Sequence, residues 1–249
     1  MLEIQIKKVS LSEILALRSL YLQECKFQIR YDACHGRNWT DSYLIKLAEQ
    51  AVGYISVKGL EDLQKRNTIF EFYLLPYLRN KASLIFKRAI EASKVSYLES
   101  QSNDFLMTSM LYEFGSIIRS DTILFGEGFN SKWSKEGLIF RKYNSSEEVF
   151  GKKESDKGSY VLEKGGRIVA DGGFLTHYNP PFADLYMEVE ERHRGKGYAA
   201  FILQEIKKEC YLAGRVPAAR CSIKNPASKG ALLKAGMQVV GYMLKAEIS

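Results

Sequence analysis

From Ala183 to Glu190 apolar and polar positions alternate, so Leu185, Met187 and Val189 fall on one face of an extended strand and Asp184, Tyr186, Glu188 and Glu190 on the other. Upstream, Ser159-Tyr160-Val161-Leu162 and Arg167-Ile168-Val169-Ala170 flank Gly165-Gly166 and read as a hairpin, and Pro180-Pro181 breaks the chain before the alternating strand. Downstream the period lengthens. Ala199, Ile202, Leu203, Ile206, Cys210 and Ala213 recur at helical spacing, with Gln204, Glu205, Lys207 and Lys208 opposite them and Gly214 as a stop. A strand over 218–223 then leads to Asn225-Pro226-Ala227-Ser228, where Asn can cap a helix and Pro suits its first position. Gly236 ends that helix, and a last strand over 238–244 bends near Gly241.

The same order occurs about 115 residues earlier. Ser42-Tyr43-Leu44-Ile45 echoes Ser159-Tyr160-Val161-Leu162, the stretch 70–75 echoes the alternating strand, and Arg79-Asn80-Lys81-Ala82 echoes Arg194-Gly195-Lys196-Gly197. Leu111-Tyr112-Glu113-Phe114-Gly115 falls where Leu232-Leu233-Lys234-Ala235-Gly236 falls. Their common order implies a divergent tandem duplication. The segment 116–137, with Gly126, Gly128, Asn130 and Ser131, reads as the joint, which divides the chain into halves at 1–128 and 129–249. A helix over 12–27, carrying Ile14, Leu15, Leu17, Leu20, Tyr21 and Cys25, has no counterpart in the second half. The first half is therefore expected to wall an acceptor cleft, with His35-Gly36-Arg37 on a loop above it.

Charge and cysteines narrow the class. The net charge of +7 is scattered in short pairs, Lys7-Lys8, Lys152-Lys153 and Lys207-Lys208, rather than gathered in a tail, which disfavours a nucleic-acid partner. Cys25, Cys34, Cys210 and Cys221 form no C-x-x-C pair and no histidine cluster accompanies them, so neither a metal site nor a disulfide framework is expected. Without an apolar run near 18 residues or a charged-then-apolar leader, the expectation is a cytoplasmic protein with no membrane partner.

The candidate chemistry sits after the alternating strand, at Val189-Glu190-Glu191-Arg192-His193-Arg194-Gly195-Lys196-Gly197-Tyr198-Ala199. Glycines let the main chain approach a ligand closely, and N–H groups opening a helix converge with its positive dipole end to hold a pyrophosphate. This stretch resembles the Q/R-x-x-G-x-G/A signature of the GNAT superfamily of acyl-CoA-dependent N-acyltransferases. It fits in two registers, Arg192/Gly195/Gly197 and Arg194/Gly197/Ala199. The resemblance covers roughly residues 138–249, and Asn225 with the helix to Gly236 is similar to the family's second cofactor-facing segment.

The resemblance implies an α/β (α+β) fold: a mixed, mostly antiparallel central sheet flanked by helices, here in tandem. It implies acetyl-CoA bound by Val189, the turn Arg192 to Ala199 including His193, Lys196 and Tyr198, and Asn225 with Ser228. It implies direct attack of a small-molecule or peptide amine on the thioester. A lysine-like amine is neutral in only about one molecule in 2,500 at pH 7, a cost of roughly 4.6 kcal/mol, so a base is useful. Glu188 and Asp184 are the candidates. Leu232 stands where many members carry a Tyr that protonates the leaving sulfur, which leaves Tyr242 or Tyr178 as substitutes. The first half has Asn80 and Ala82 where glycines belong and Pro76 at the strand end, so cofactor binding is expected in the second half alone. A non-catalytic acetyl-CoA-binding regulatory protein is the alternative, favoured by Leu232.

Overall fold

The computed structural model describes residues 3–29, 31–129 and 134–249. Asn130 and Ser131 of the expected joint lie outside them. The chain forms two compact units: of the described residues, unit 1 takes 3–27, 31–121 and 241–249, and unit 2 takes 28–29, 122–129 and 134–240.

Unit 1 runs β1 (Ile4–Val9), α1 (Leu11–Glu24), α2 (Tyr31–Gly36), β2 (Asp41–Leu47), β3 (Gln50–Lys58), β4 (Thr68–Leu74), a 3₁₀ turn (Pro76–Lys81), α3 (Ala82–Ser93), β5 (Tyr97–Gln101) and α4 (Phe105–Phe114). β6 (Gly115–Glu127) follows and carries the chain into unit 2. There the order is β7 (Leu138–Lys142), β8 (Tyr160–Lys164), β9 (Arg167–Leu175), β10 (Phe182–Val189), a 3₁₀ turn (Glu191–His193), α5 (Tyr198–Leu212), β11 (Val216–Ser222), α6 (Pro226–Lys234) and β12 (Met237–Ile248). In each unit the sheet is mostly antiparallel with one short parallel pair, β4 with β5 and β10 with β11.

The last strand of each half is spent in the sheet of the other unit. In unit 2, Thr122–Phe125 of β6 pairs antiparallel with Ala219–Ser222 of β11. In unit 1, Met243–Glu247 of β12 pairs with Tyr97–Gln101 of β5. Each compact unit is therefore built from both halves of the sequence. Much of the expected joint is instead strand, β6 running from Gly115 through Gly126 to Glu127, because Ile118, Ile123, Leu124 and Phe125 favour extended pairing. β12 likewise passes through Gly241 without a break.

In unit 1, α3 and α4 bury Ile85, Phe86, Ala89, Met107, Met110 and Leu111 against Ile55, Val57, Ile69, Phe72 and Leu98, each of these side chains larger than alanine contributing about 1.5–3 kcal/mol. The opposite face is polar and aromatic. α1 lays Ile14, Leu17, Arg18 and Tyr21 inward, while Leu15 and Leu20, on the flanks of that stripe, stay exposed. The Arg18 guanidinium meets the fully buried Glu71 carboxylate at 2.9 Å and Asp32 at 2.6 Å. Burial alone raises a carboxyl pKa, but Arg18 and His35 outweigh it and hold Glu71 at about 2. His35, expected on a loop, is a buried residue of α2 whose Nε2 lies 3.1 Å from Glu71. In unit 2, α5 and α6 bury Ile202, Leu203, Ile206, Cys210, Ala231 and Leu232 against Leu162, Val169, Ala170, Leu185 and Val189. Leu232 thus serves packing. Among the described residues no helix is long and apolar enough to cross a membrane.

Candidate functional site

β10 pairs with β11 only from Phe182–Val216 to Asp184–Ala218. Beyond that point β11 turns to β6 while β10 runs on to Val189, held by β9 on its other edge. The parting of two parallel strands leaves the main chain of residues 185–189 without a strand partner on that edge, so its polar groups need another acceptor or donor. A cleft of about 580 Å³ starts there, lined by Met187, Glu188 and Val189. It continues past His193, Arg194, Gly195 and Gly197 to Tyr198, Ala199 and Ala200, with Asn225 to Ser228 of the α6 start on the far side.

The glycine turn is set by backbone conformation. Gly195 has φ +76° and Gly197 φ +79°, the left-handed region that costs an ordinary L-residue about 1–2 kcal/mol. A Cβ at Gly195 would meet nothing within 4 Å, and one at Gly197 only the tip of Lys135 at 3.5 Å. The room they leave belongs to the cleft. Gly197 is also the N-cap of α5, so no side chain covers the first-turn N–H groups, which lack intrahelical acceptors. At α6, Asn225 Oδ1 accepts from the Ser228 N–H at 3.0 Å, so the Asn225 carbonyl serves as a helix cap.

The other residues expected to hold a cofactor divide. Arg194 Nε donates to the Val189 carbonyl at 3.3 Å, as Arg79 Nε donates to Leu74 at 3.2 Å in unit 1, one trace of the duplication in three dimensions. Arg192 and Lys196 do not line the cleft: Arg192 Nε donates to Glu190 at 2.6 Å and Lys196 Nζ to the Arg192 carbonyl at 3.2 Å. Two cations that the sequence pattern does not single out approach the turn. Lys135 donates to the Lys196 carbonyl, and Lys164 Nζ lies 3.0 Å from the Tyr198 hydroxyl. As single lysines outside any motif, they carried no signal. The matching turn of unit 1 has no positive φ, and Ala82 is buried in the core of its unit.

At the sheet end of the cleft Glu188 is half-exposed and its Oε2 lies 2.8 Å from Lys152 Nζ. Glu188 faces Asp171 across the β9–β10 pair, and Asp171, which is 1% exposed, takes the same ammonium at 2.7 Å and the Gly158 N–H at 2.8 Å. Burial lowers the Lys152 pKa, but hydrogen bonds to Asp171 and Glu188 outweigh it and hold the ammonium above the ordinary lysine value. Neither Asp171 nor Lys152 was singled out in sequence; the available signal was an aspartate interrupting the apolar run Ile168-Val169-Ala170. Asp184 is buried with His177 Nε2 at 3.1 Å and lies outside the cleft lining. Tyr178 is buried, Tyr242 belongs to unit 1, and neither lines this cleft. Among the described residues no group of three or more His, Cys, Asp or Glu is placed to hold a metal.

Residues 119–237 match the family model described as the acetyltransferase (GNAT) family. Similar solved structures include an acetyltransferase from the GNAT family from Colwellia psychrerythraea, 15% identical, covering 98% of this chain and 100% of its own with a TM-score of 0.74. A tandem GNAT protein from the clavulanic acid biosynthesis pathway is 11% identical with a TM-score of 0.60, covering 98% of each chain. A GCN5-related N-acetyltransferase from Sphaerobacter thermophilus is 15% identical with a TM-score of 0.58, covering 99% of this chain and 97% of its own. At such identities the likeness is one of fold. No protein of curated function matches this chain.

Proposed function

We propose that this chain, an acyltransferase of the GNAT family, whose members use acetyl-CoA, binds that cosubstrate in the unit 2 cleft and passes its acetyl group to a primary amine of a small molecule or peptide. The observation that carries the reading is the continuity of the cleft. It runs from a strand edge without a strand partner at 187–189 to two helix starts, one opened by Gly195 and Gly197 and the other by Asn225. An extended thioester with a pyrophosphate at its far end suits that shape, because main-chain groups at the strand meet its amides and helix N–H groups meet its phosphates.

The roles follow from position. N–H groups of the turn from Gly195 into α5 hold the pyrophosphate, and main-chain groups near Val189 hold the pantetheine arm and polarise the thioester carbonyl. Glu188 accepts the proton of the incoming amine, which takes the place of Lys152 beside it. Among the described residues Tyr198 is the one tyrosine lining the cleft, at the start of α5 away from Glu188, and a thiol with a pKa of about 8.5 leaves without a tyrosine acid. The test is thiol release from acetyl-CoA against a panel of amines, amino acids and peptides, with calorimetric titration of acetyl-CoA alongside. Binding with amine-dependent thiol release supports transfer. Binding without release from any amine favours a regulatory acetyl-CoA-binding protein, a reading to which the ion pair covering Glu188 lends weight.

A further inference from the structure

Lys152 lies in the segment between β7 and β8, on the face of the unit 2 sheet opposite α5. Its Nζ sits 2.8 Å from Glu188 and 2.7 Å from Asp171, and its side chain is 17% exposed. Glu188 itself lines the cleft, next to the strand edge to which the proposed function assigns the thioester end. The amine of Lys152 therefore stands against the same carboxylate that an external acceptor must reach.

We propose that Lys152 is an internal acyl acceptor, taking an acetyl group from acetyl-CoA in the unit 2 cleft when no external amine is present; this rests on the function proposed above. The ammonium gives one proton to Glu188 and the freed Nζ lone pair attacks the thioester carbonyl carbon. A C–N bond forms and the C–S bond breaks; the proton on Glu188 passes to the departing sulfur, and the carboxylate then takes the second proton from the acylated nitrogen and releases it to solvent. The products are Nε-acetyl-Lys152, free CoA thiol and one proton, with no oxidant or further reactant. The reaction is slow, because its two carboxylate partners favour the charged amine. It is also self-limiting: the acetylated side chain no longer carries the cation that pairs Asp171 with Glu188.

The experiment is incubation of the full chain with acetyl-CoA alone, read by intact mass and peptide mapping, with acetyl-CoA binding measured in parallel by calorimetry. The expected result is one acetyl group per chain, at Lys152. Lys152→Arg and Lys152→Met should each abolish it, two variants guarding against loss of fold in one. Glu188→Gln should slow it at least about tenfold. Gly197→Val should slow it at low acetyl-CoA concentration. Acetyl groups spread over exposed lysines such as Lys196 and Lys208, at rates unchanged by Gly197→Val, would overturn the proposal. An unmodified Lys152 in a chain that binds acetyl-CoA and acetylates an external amine defeats this inference alone. Absence of acetyl-CoA binding defeats the functional reading with it.

Discussion

Gly197 separates the demands of the fold from those of the ligand. At φ +79° an alanine or valine there should cost about 1–2 kcal/mol of stability, and an asparagine less, because Asn tolerates the left-handed region. Little else resists the change, since the nearest neighbour of a new Cβ is the flexible end of Lys135 at 3.5 Å. The cleft is affected differently. On the proposed function, every one of these residues places a Cβ where a pyrophosphate oxygen would approach the N–H groups at the start of α5. Losing two charge-assisted hydrogen bonds at about 1.5–3 kcal/mol each amounts to roughly 3–6 kcal/mol. At about 1.4 kcal/mol per decade, Kd for acetyl-CoA should rise at least about a hundredfold. Calorimetric titration gives the affinity, and urea unfolding without ligand gives the stability. Affinity should fall in Ala, Asn and Val variants alike, while stability falls least in Asn. Wild-type affinity in Gly197→Asn, or affinity losses that simply follow the stability losses, would refute the assignment of the turn as a phosphate cradle.

Glu188→Gln should lower kcat about tenfold to a hundredfold while leaving acetyl-CoA binding nearly intact, and an unchanged kcat would move the proton to water or to another group. One acetyl-CoA should bind per chain, because the unit 1 turn lacks the left-handed glycines; a stoichiometry of two in calorimetry contradicts this. Ala82 is a poor probe of that turn, being core, so substitution of the exposed Asn80 is the control that should leave binding unchanged. Asp104 caps α4 while buried, and burial pushes its carboxyl to about 6 despite hydrogen bonds from the Met107 N–H and the Tyr21 hydroxyl. Its folded form holds the proton more tightly than the unfolded chain does, so its contribution is full below about pH 4 and is lost as pH rises through about 6. Asp104→Asn should therefore add up to about 3 kcal/mol at pH 7, with the gain fading near pH 4; urea titrations showing the same change at both pH values would count against it.

What the sequence determined by itself was local. Alternation from Ala183 to Glu190 placed Leu185 and Val189 in the core and Glu188 on the other face, as β10 has them, because a pleated strand admits only two faces. The apolar helical spacing after Gly197, the stop at Gly214 and the cap at Asn225 were equally legible, each being decided within one or two turns of chain, whereas Gln204 and Lys207, expected on the polar side of that helix, are buried. Tertiary structure decided the rest. Periodicity shows which face a residue occupies but not what covers it. Nothing local to Glu188 announced that it would share the Lys152 ammonium with Asp171, and nothing near Arg18 announced that Glu71 would draw it inside. The destination of the last strands was hidden for the same reason. Thr122–Phe125 fell in the expected joint and Met243–Glu247 only partly in the expected last strand, and their partners, Ala219–Ser222 and Tyr97–Gln101, lie far away along the chain, where backbone hydrogen bonds between strands carry no residue code.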